Sequence, residues 1–252
     1  MRPTALSVNL NKIALIRNSR PGNYPSVVKH GELCLAAGAD GLTVHPRPDQ
    51  RHIRPGDVYA IKELITDHKG TEFNIEGNPF AEKIGDFPGF IKLVEDTRPE
   101  QCTLVPDSND QLTSDHGFDL KKAARDLKPI VQRLQDAGVR VSLFMDPDVE
   151  QISLAKELGA DRIELYTGPY AAAYTQQDHV FTTLFQRYYA AAAHAADIGI
   201  GLNAGHDLNL ENLTYFRQAP ELLEVSIGHA LTVDAISMGW SNAVSAYKKL
   251  CG

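Results

Sequence analysis

Histidine and glutamate side chains stand at the ends of four short apolar runs in this sequence. His45 and Glu76 each end such a run, and His206 and His229 each follow a glycine at the end of a later one. Carboxyl and imidazole groups transfer protons near neutral pH when their surroundings adjust their pKa values. Because the carboxyl ends of parallel strands meet at one rim of an α/β fold, these side chains predict an acid–base site there.

A further carboxylate, Glu164, lies inside another apolar run. A structural carboxylate in a salt bridge and a proton-transferring group both fit this setting, and the same two interpretations apply to Glu76.

Two histidines and two arginines fall between residues 45 and 52, directly after one of the apolar runs: His45, Arg47, Arg51 and His52. A guanidinium group offers a planar fork for phosphate or carboxylate. A solvated polar loop is the alternative, although two prolines in the same segment restrict its backbone. We therefore interpret this segment as a candidate anion-binding loop.

A second anion site is predicted where Gly205-His206 and Gly228-His229 end two consecutive apolar runs. In (β/α)8 barrels the loops after strands seven and eight often bind phosphate through backbone N–H groups and a helix N-terminus. Arg20 is another candidate for phosphate, whereas the nearby Arg17 is interpreted as surface charge.

Two other kinds of chemistry remain open on the residues alone. Lys12 follows the first apolar run, and a desolvated lysine there would form a Schiff base, although ion pairing is its more common role. Four side chains would be metal ligands if they converged, but they come from separate runs without a short ligand spacing. These are His45, Glu76, His206 and His229.

The segments that position these residues alternate between strand-like and helix-like patterns. The predicted strands cover residues 5–11, 41–46, 72–78, 101–106, 140–146, 162–168, 200–206 and 223–229. The predicted helices cover residues 25–37, 56–68, 87–97, 120–137, 148–158, 179–198, 209–217 and 234–250. Eight such units predict an α/β fold, a single (β/α)8 TIM barrel with parallel strands and extra helical or loop insertions on the catalytic face. An open doubly wound sheet is the alternative.

Two long polar segments follow predicted strands, at residues 107–119 and 169–178. Loops after barrel strands lie on the catalytic face and can close over a substrate. We interpret both segments as candidate lids.

Composition favours one catalytic domain over residues 1–252, since 43% of the residues are hydrophobic and no linker divides the chain. A net charge of −7 without a long basic run argues against a nucleic-acid partner. Neither a signal core nor an apolar run long enough for a membrane span is present. Three widely spaced cysteines predict no disulfide framework. We therefore expect a cytoplasmic protein without a membrane partner.

Several motifs together resemble the pyridoxine 5′-phosphate synthase family, in order, from about residue 6 to residue 250. The motifs that carry the resemblance are Val8-Asn9, Arg17-Asn18-x-Arg20, Thr43-Val44-His45-x-Arg47, Arg51-His52-Ile53, Asn74-x-Glu76, Leu104-Val105-Pro106, Thr167-Gly168-x-Tyr170-Ala171, Asn203-Ala204-Gly205-His206 and Ile227-Gly228-His229-Ala230. The resemblance implies a (β/α)8 barrel that assembles as a homo-octamer. It also implies condensation of 1-deoxy-D-xylulose 5-phosphate with 3-amino-2-oxopropyl phosphate to give pyridoxine 5′-phosphate, inorganic phosphate and water, with neither a metal nor an organic cofactor.

The same resemblance implies roles for individual residues. His45 and Glu76 would accept protons, His206 would donate one, and Glu164 would stabilise a transition state. The residues that would hold the amino-ketone phosphate are Asn9, Arg20, Asp207, Gly228 and His229. Those that would hold or touch the deoxyxylulose phosphate are Asn11, Lys12, Arg47, His52 and Thr113.

Three departures from the family's usual pattern keep other functions open. Asn11-Lys12 replaces Asp-His, Asp207 replaces a glycine, and Tyr166 replaces a histidine. A carboxylate at position 207 would repel a phosphate unless it is turned away or paired. The alternatives are another sugar-phosphate barrel enzyme, either a Schiff-base aldolase or a metal-dependent epimerase, and a phosphate-binding paralogue without activity.

Overall fold

Eight parallel strands form a closed barrel in a computed structural model that describes residues 3–108, 110–177 and 179–252. The strands are β1 (Ala5–Asn9), β2 (Gly41–Val44), β3 (Glu72–Gly77), β4 (Gln101–Leu104), β5 (Arg140–Met145), β6 (Arg162–Tyr166), β7 (Gly201–Gly205) and β8 (Leu222–Ile227). They pair in chain order, and β8 closes the barrel on β1. The predicted (β/α)8 barrel is thus confirmed, and the open sheet is excluded.

Helices follow the strands and cover the outside of the barrel. They are α1 (Asn11–Asn18), α2 (Val27–Ala36), α3 (Pro55–Asp67), α4 (Phe90–Thr97), α5 (Leu120–Asp136), α6 (Val149–Leu158), α7 (Gly168–Thr175), α8 (Phe181–Asp197), α9 (Asn212–Phe216), α10 (His229–Met238) and α11 (Trp240–Cys251). None of the helices in the described ranges is long and apolar enough to span a bilayer.

The main differences from the prediction lie in three segments of the chain. The first strand ends at Asn9 instead of residue 11, and the residues that follow form α1, a helix that was not predicted; the Asn9 side chain accepts a hydrogen bond from the Asn11 backbone N–H (2.9 Å) at its start. Residues 168–175 form α7, so the predicted loop at 169–178 was wrong there, whereas its role as a lid stays a prediction; Asp178 lies outside the described residues. The predicted helix 234–250 is two helices, because Gly239 adopts a φ of +81° between them.

The interior of the barrel is polar, whereas the outer faces of the strands are apolar. Leu6, Val8 and many similar strand residues are fully buried in the core that includes the surrounding helices. Ser7 and Thr43 hydroxyls lie 2.7 Å apart, and Gln101 of β4 donates to Glu224 of β8 (3.3 Å). Side chains of a strand alternate between its two faces, so every second residue points along the barrel axis. This alternation brings carboxylates into the barrel interior.

Candidate active site

Glu76 occupies the interior of the barrel near the carboxyl end of β3. The Asn9 amide donates to Glu76 Oε2 (3.4 Å), and the Ser226 hydroxyl donates to Oε1 (3.4 Å). Burial raises the pKa of Glu76 to about 8, the Ser226 hydrogen bond lowers it, and the charges of Asp107 and Glu224 raise it further. A carboxyl group with this pKa exchanges a proton near neutral pH, as a general base or acid requires.

His45 lies directly after β2 and faces Glu76. Its Nδ1 atom is 3.9 Å from Glu76 Oε2, and its backbone N–H donates to Asn11 Oδ1 (2.9 Å). The pKa of His45 is well below its usual value because of burial, followed by the positive charges of Arg47 and other cations of the same loop. The ring is therefore neutral at pH 7 and can accept a proton.

Glu164 projects from β6 into the barrel interior. Its Oε2 atom accepts a hydrogen bond from the Thr103 hydroxyl (3.3 Å). Burial raises its pKa well above the usual range, and the charges of Glu76 and Glu224 add to this effect. Glu164 is therefore protonated at neutral pH, which suits a hydrogen-bond donor to developing negative charge.

The cationic loop after β2 contacts the loop after β4. Arg47 is buried and pairs with Asp107, and Arg51 donates to the backbone carbonyl of Gln111 (2.7 Å). Burial lowers the pKa of Arg47, whereas the charge of Asp107 raises it. Two of the predicted anion-binding residues thus lie together, with the guanidinium of Arg47 held by the candidate lid.

His52 belongs to the same group of site residues. Burial, and then the charges of Arg47 and Arg51, lower the pKa of His52 to about 3. Its Nδ1 atom accepts from the Ile53 backbone N–H (2.9 Å), so the neutral ring carries its proton on Nε2 and presents a donor.

The interpretation of Arg17 as surface charge was wrong, because Arg17 is 1% exposed, pairs with Asp57 (2.5 Å) and donates to the His52 carbonyl (2.9 Å).

His206 lies after β7, between two polar side chains. Its Nε2 atom is 3.0 Å from Thr113 Oγ1, and its Nδ1 atom is 2.8 Å from Asp207 Oδ2. The pKa of Asp207 is lowered mainly by its hydrogen bond with His206, so its ionised carboxylate accepts and Nδ1 carries the proton. The Tyr166 ring packs edge-on against the imidazole, with centroids 5.1 Å apart.

Gly228 and His229 lie at the start of α10. Gly228 is the N-cap residue of that ten-residue helix, and a Cβ atom at this position would stand 3.0 Å from Asn9 Cβ. The absence of a side chain at Gly228 therefore keeps the first backbone N–H groups of α10 close to Asn9 and open to an anion.

The remaining predicted residues lie on or after α1. Asn11 supports the backbone of His45, as its hydrogen bond shows. Lys12 is half-buried in the first turn, and its charge acts on both His52 and Asp207. Arg20 is exposed just beyond the end of α1, and within the described ranges its side chain forms no hydrogen bond or ion pair with the other site residues.

Residue-by-residue reasoning did not select Asp107, although it was part of the predicted lid segment. Its carboxylate joins Arg47, Ser114 and His45, contacts that are made between separate loops. The only local signal was an acid following Leu104-Val105-Pro106 at the end of a strand. Across the described ranges, no group of three or more histidine, cysteine or acidic side chains has an arrangement suited to a metal ion.

A sequence profile for the family described as "Pyridoxal phosphate biosynthesis protein PdxJ" matches residues 6–252. A protein named pyridoxine 5′-phosphate synthase from Xanthomonas axonopodis pv. citri is 54% identical over 246 residues, which cover 97% of this chain and 95% of that protein. A protein of the same name from Porphyromonas gingivalis is 50% identical over 246 residues, with 97% and 98% covered.

Solved structures provide a comparison of fold. A structure described as a 4-hydroxy-2-oxoglutarate aldolase superimposes with a TM-score of 0.61 at 15% identity, covering 98% of this chain and 94% of its own. A structure from Aquifex aeolicus superimposes with a TM-score of 0.64 at 14% identity, covering 99% and 93%. At this level of identity the similarity concerns the barrel alone.

Proposed function

The chain belongs to the PdxJ family of pyridoxal phosphate biosynthesis proteins, and we propose that its barrel carries out the pyridoxine 5′-phosphate synthase reaction. It is an enzyme of vitamin B6 biosynthesis that acts on phosphorylated substrates. In this reaction 1-deoxy-D-xylulose 5-phosphate and 3-amino-2-oxopropyl phosphate give pyridoxine 5′-phosphate, inorganic phosphate and water. The buried pair of His45 and Glu76, found in a chain of this family, carries the proposal.

The reaction needs several proton transfers in one cavity. Imine formation, enolisation, elimination of phosphate and loss of water each move a proton. We assign proton acceptance to Glu76 and His45, whose pKa values are shifted in opposite directions. Glu164 supplies a protonated carboxyl group to a developing oxyanion or enolate, and this role is supported by its raised pKa.

His206 is proposed as the proton donor. The Asp207 carboxylate accepts from Nδ1–H, so a proton carried on Nε2 would face Thr113 and the space below the loop after β4.

Two phosphate groups require two anion sites. We assign the amino-ketone phosphate to the start of α10, with Gly228, His229, Asn9, Arg20 and the backbone of residue 207 as its contacts. The free N–H groups of the helix support this assignment. We assign the deoxyxylulose phosphate to Arg47, His52 and Thr113, with Asn11 and Lys12 as further contacts. No metal or organic cofactor is part of this proposal.

The whole chain is proposed to act as one catalytic domain in a cytoplasmic homo-octamer. Exposed apolar side chains on α1 and α10 support self-association, since such surface is normally covered. They are Leu15, Ile16, Val233 and Ile236.

An assay with both phosphorylated substrates, in the absence of added metal, tests the function. We expect pyridoxine 5′-phosphate fluorescence and released phosphate to appear in equal amounts. Glu76→Gln should reduce kcat by roughly a hundredfold or more, because an amide cannot accept the proton. Folded wild-type protein that forms no ring product between pH 6 and 9, roughly the range spanned by histidine and shifted glutamate groups, would falsify the proposal.

Borohydride trapping followed by mass spectrometry distinguishes the Schiff-base aldolase. Covalent modification at Lys12 would favour that alternative, whereas an unmodified Lys12 together with ring formation supports the synthase.

A further inference from the structure

The two oxygen atoms of the buried Asp107 carboxylate differ in their hydrogen bonds. It follows Pro106 after β4, and only 4% of its surface is exposed. Its Oδ2 atom accepts from Arg47 and from the Ser114 hydroxyl (2.9 Å), whereas Oδ1 has no hydrogen-bond partner within the described part of the chain. A buried acceptor without a partner costs free energy, so a simple ion pair with Arg47 does not explain this placement.

The same carboxylate faces His45. Asp107 Oδ2 lies 3.6 Å from His45 Nε2, while Glu76 Oε2 lies 3.9 Å from Nδ1 on the other side of the ring. Both distances exceed an ordinary hydrogen bond, but contacts at catalytic groups commonly shorten when substrate binds. The imidazole therefore stands between one carboxylate fixed in the barrel and another carried by the loop that crosses the mouth.

We propose that Asp107 is a positioning residue that acts through His45, and that the loop after β4 completes the proton acceptor when it lies over the barrel. This inference rests on the proposed synthase function. Asp107 holds the ring through Nε2 and supplies negative charge against the cations around His45.

The charges facing these two groups determine the sign of the effect. Arg47, Arg51 and His52 face His45 from its own loop, and Glu76 faces it from β3. Asp107 is faced by Arg47 and His45, by Glu76 from β3, and by Asp115 and His116 from its own loop. Replacing Asp107 by a neutral residue removes an anion beside His45 and leaves Arg47 uncompensated, so both changes disfavour a proton on the ring.

The test compares Asp107→Asn with Asp110→Asn, a matched control that removes an exposed carboxylate from the same loop. We expect Asp107→Asn to lower kcat by roughly tenfold or more, with KM values for both substrates within about threefold of wild type. The acidic limb of the kcat–pH profile should move to lower pH. Asp110→Asn should match the wild-type enzyme in all three measurements.

A second variant and a double-mutant cycle separate positioning from a merely structural role. Asp107→Glu retains the charge but displaces it from His45, so it should keep the wild-type acidic limb and KM while lowering kcat. It also provides the test if the Asn variant does not fold. In a His45→Asn background, Asp107→Asn should have almost no additional effect on kcat, because the residue through which it acts is absent.

The inference is overturned if Asp107→Asn raises KM without moving the acidic limb, since that result describes a latch for the loop only. Equal effects of Asp107→Asn with and without His45 would also overturn it. An inactive wild-type enzyme would instead contradict the synthase function itself, so the two failures are distinguishable.

Discussion

Thr113 Oγ1 lies 3.0 Å from His206 Nε2, and this contact joins the loop after β4 to the loop after β7 across the mouth of the barrel. The loop is held from the opposite side by Arg47 and Arg51, which bind Asp107 and the Gln111 carbonyl. The loop therefore touches both the candidate proton donor and the candidate anion-binding arginines. Its position links substrate enclosure to the placement of the acid–base groups.

Removing the Thr113 hydroxyl should impair His206, the proposed proton donor, without unfolding the protein. Thr113→Val keeps the shape of the side chain but cannot hydrogen-bond Nε2, so we expect kcat to fall by roughly tenfold, equivalent to about 1–2 kcal/mol. Thr113→Ser retains the hydroxyl and serves as the control, with kcat close to wild type. Steady-state kinetics of the two variants test this expectation. A wild-type kcat for Thr113→Val would show that the contact has no role in turnover.

Stability should fall as pH rises through the range in which the buried carboxyl groups ionise. Burial raises the pKa of Glu76 to about 8 and that of Glu224 to about 7, from 4.5 in an exposed chain. Between these values the folded state holds protons that the unfolded state has lost. The contribution of these two groups to the free energy of unfolding is therefore greatest below about pH 4.5 and is lost as the pH rises through 7–8. Other groups that titrate in acid act in addition to this trend.

Thermal unfolding measured between pH 5 and pH 9 checks this sign. Glu76→Gln is neutral at every pH, so its Tm should decline less with rising pH than that of the wild-type protein. Glu63→Gln, which alters an exposed glutamate on α3, should follow the wild-type curve. A Tm that rises equally with pH in all three proteins would contradict the placement of a protonated Glu76 in the folded state.

The sequence predicted the barrel well because its strands have local signals. Apolar runs bounded by glycine located β3 and β5 to within one residue at each end. The helix α1 was not predicted at all, since its start depends on the Asn9 side chain accepting from the Asn11 backbone N–H. The helix α7 was missed because a segment of small and aromatic residues after Gly168-Pro169 shows little periodicity, and its stability comes from the burial of Tyr170.

The site residues likewise include some that local sequence signals predicted and some that they did not. Glu76 and His45 were predictable because strand ends in a barrel meet at one rim, and the structure brings them to 3.9 Å. The partnership of Asp107 with Arg47 was not predictable, since it joins two loops sixty positions apart in the chain. The contact of His206 with Thr113 likewise depends on the conformation of two loops, so no local sequence pattern predicts it.

The position of Glu164 should depend on the missing side chain of Gly205. A Cβ atom at Gly205 would overlap the Glu164 carboxylate, with no space for either group to remain in place. Gly205→Ala should therefore displace Glu164 and lower kcat by roughly tenfold or more, because catalytic geometry tolerates little displacement. Gly56→Ala is the matched control, since nothing lies within 4 Å of its added methyl group. A wild-type kcat for Gly205→Ala would contradict this dependence of turnover on the position of Glu164.

Asp207 affects both the backbone strain of its loop and the hydrogen bonding of His206, and a glycine substitution separates these two effects. His206 and Asp207 adopt φ values of +83° and +59°, a region in which glycine is unstrained and other residues are strained. Asp207→Gly relieves this strain but enlarges the freedom of the unfolded chain, so the unfolding free energy should change by less than about 1 kcal/mol. The same substitution removes the acceptor for His206 Nδ1, and kcat should fall by roughly tenfold.

Asp207→Asn separates charge from hydrogen bonding, because asparagine tolerates positive φ at least as well as aspartate and can still accept from Nδ1, but it carries no charge. If hydrogen bonding alone orients His206, the Asn variant retains most of kcat while the Gly variant loses it. If turnover requires the negative charge beside His206, both variants lose kcat to a similar extent. A lower KM for the amino-ketone phosphate in both variants would show that the carboxylate repels that phosphate. Unchanged kinetics in both variants would show that Asp207 contributes neither to binding nor to turnover.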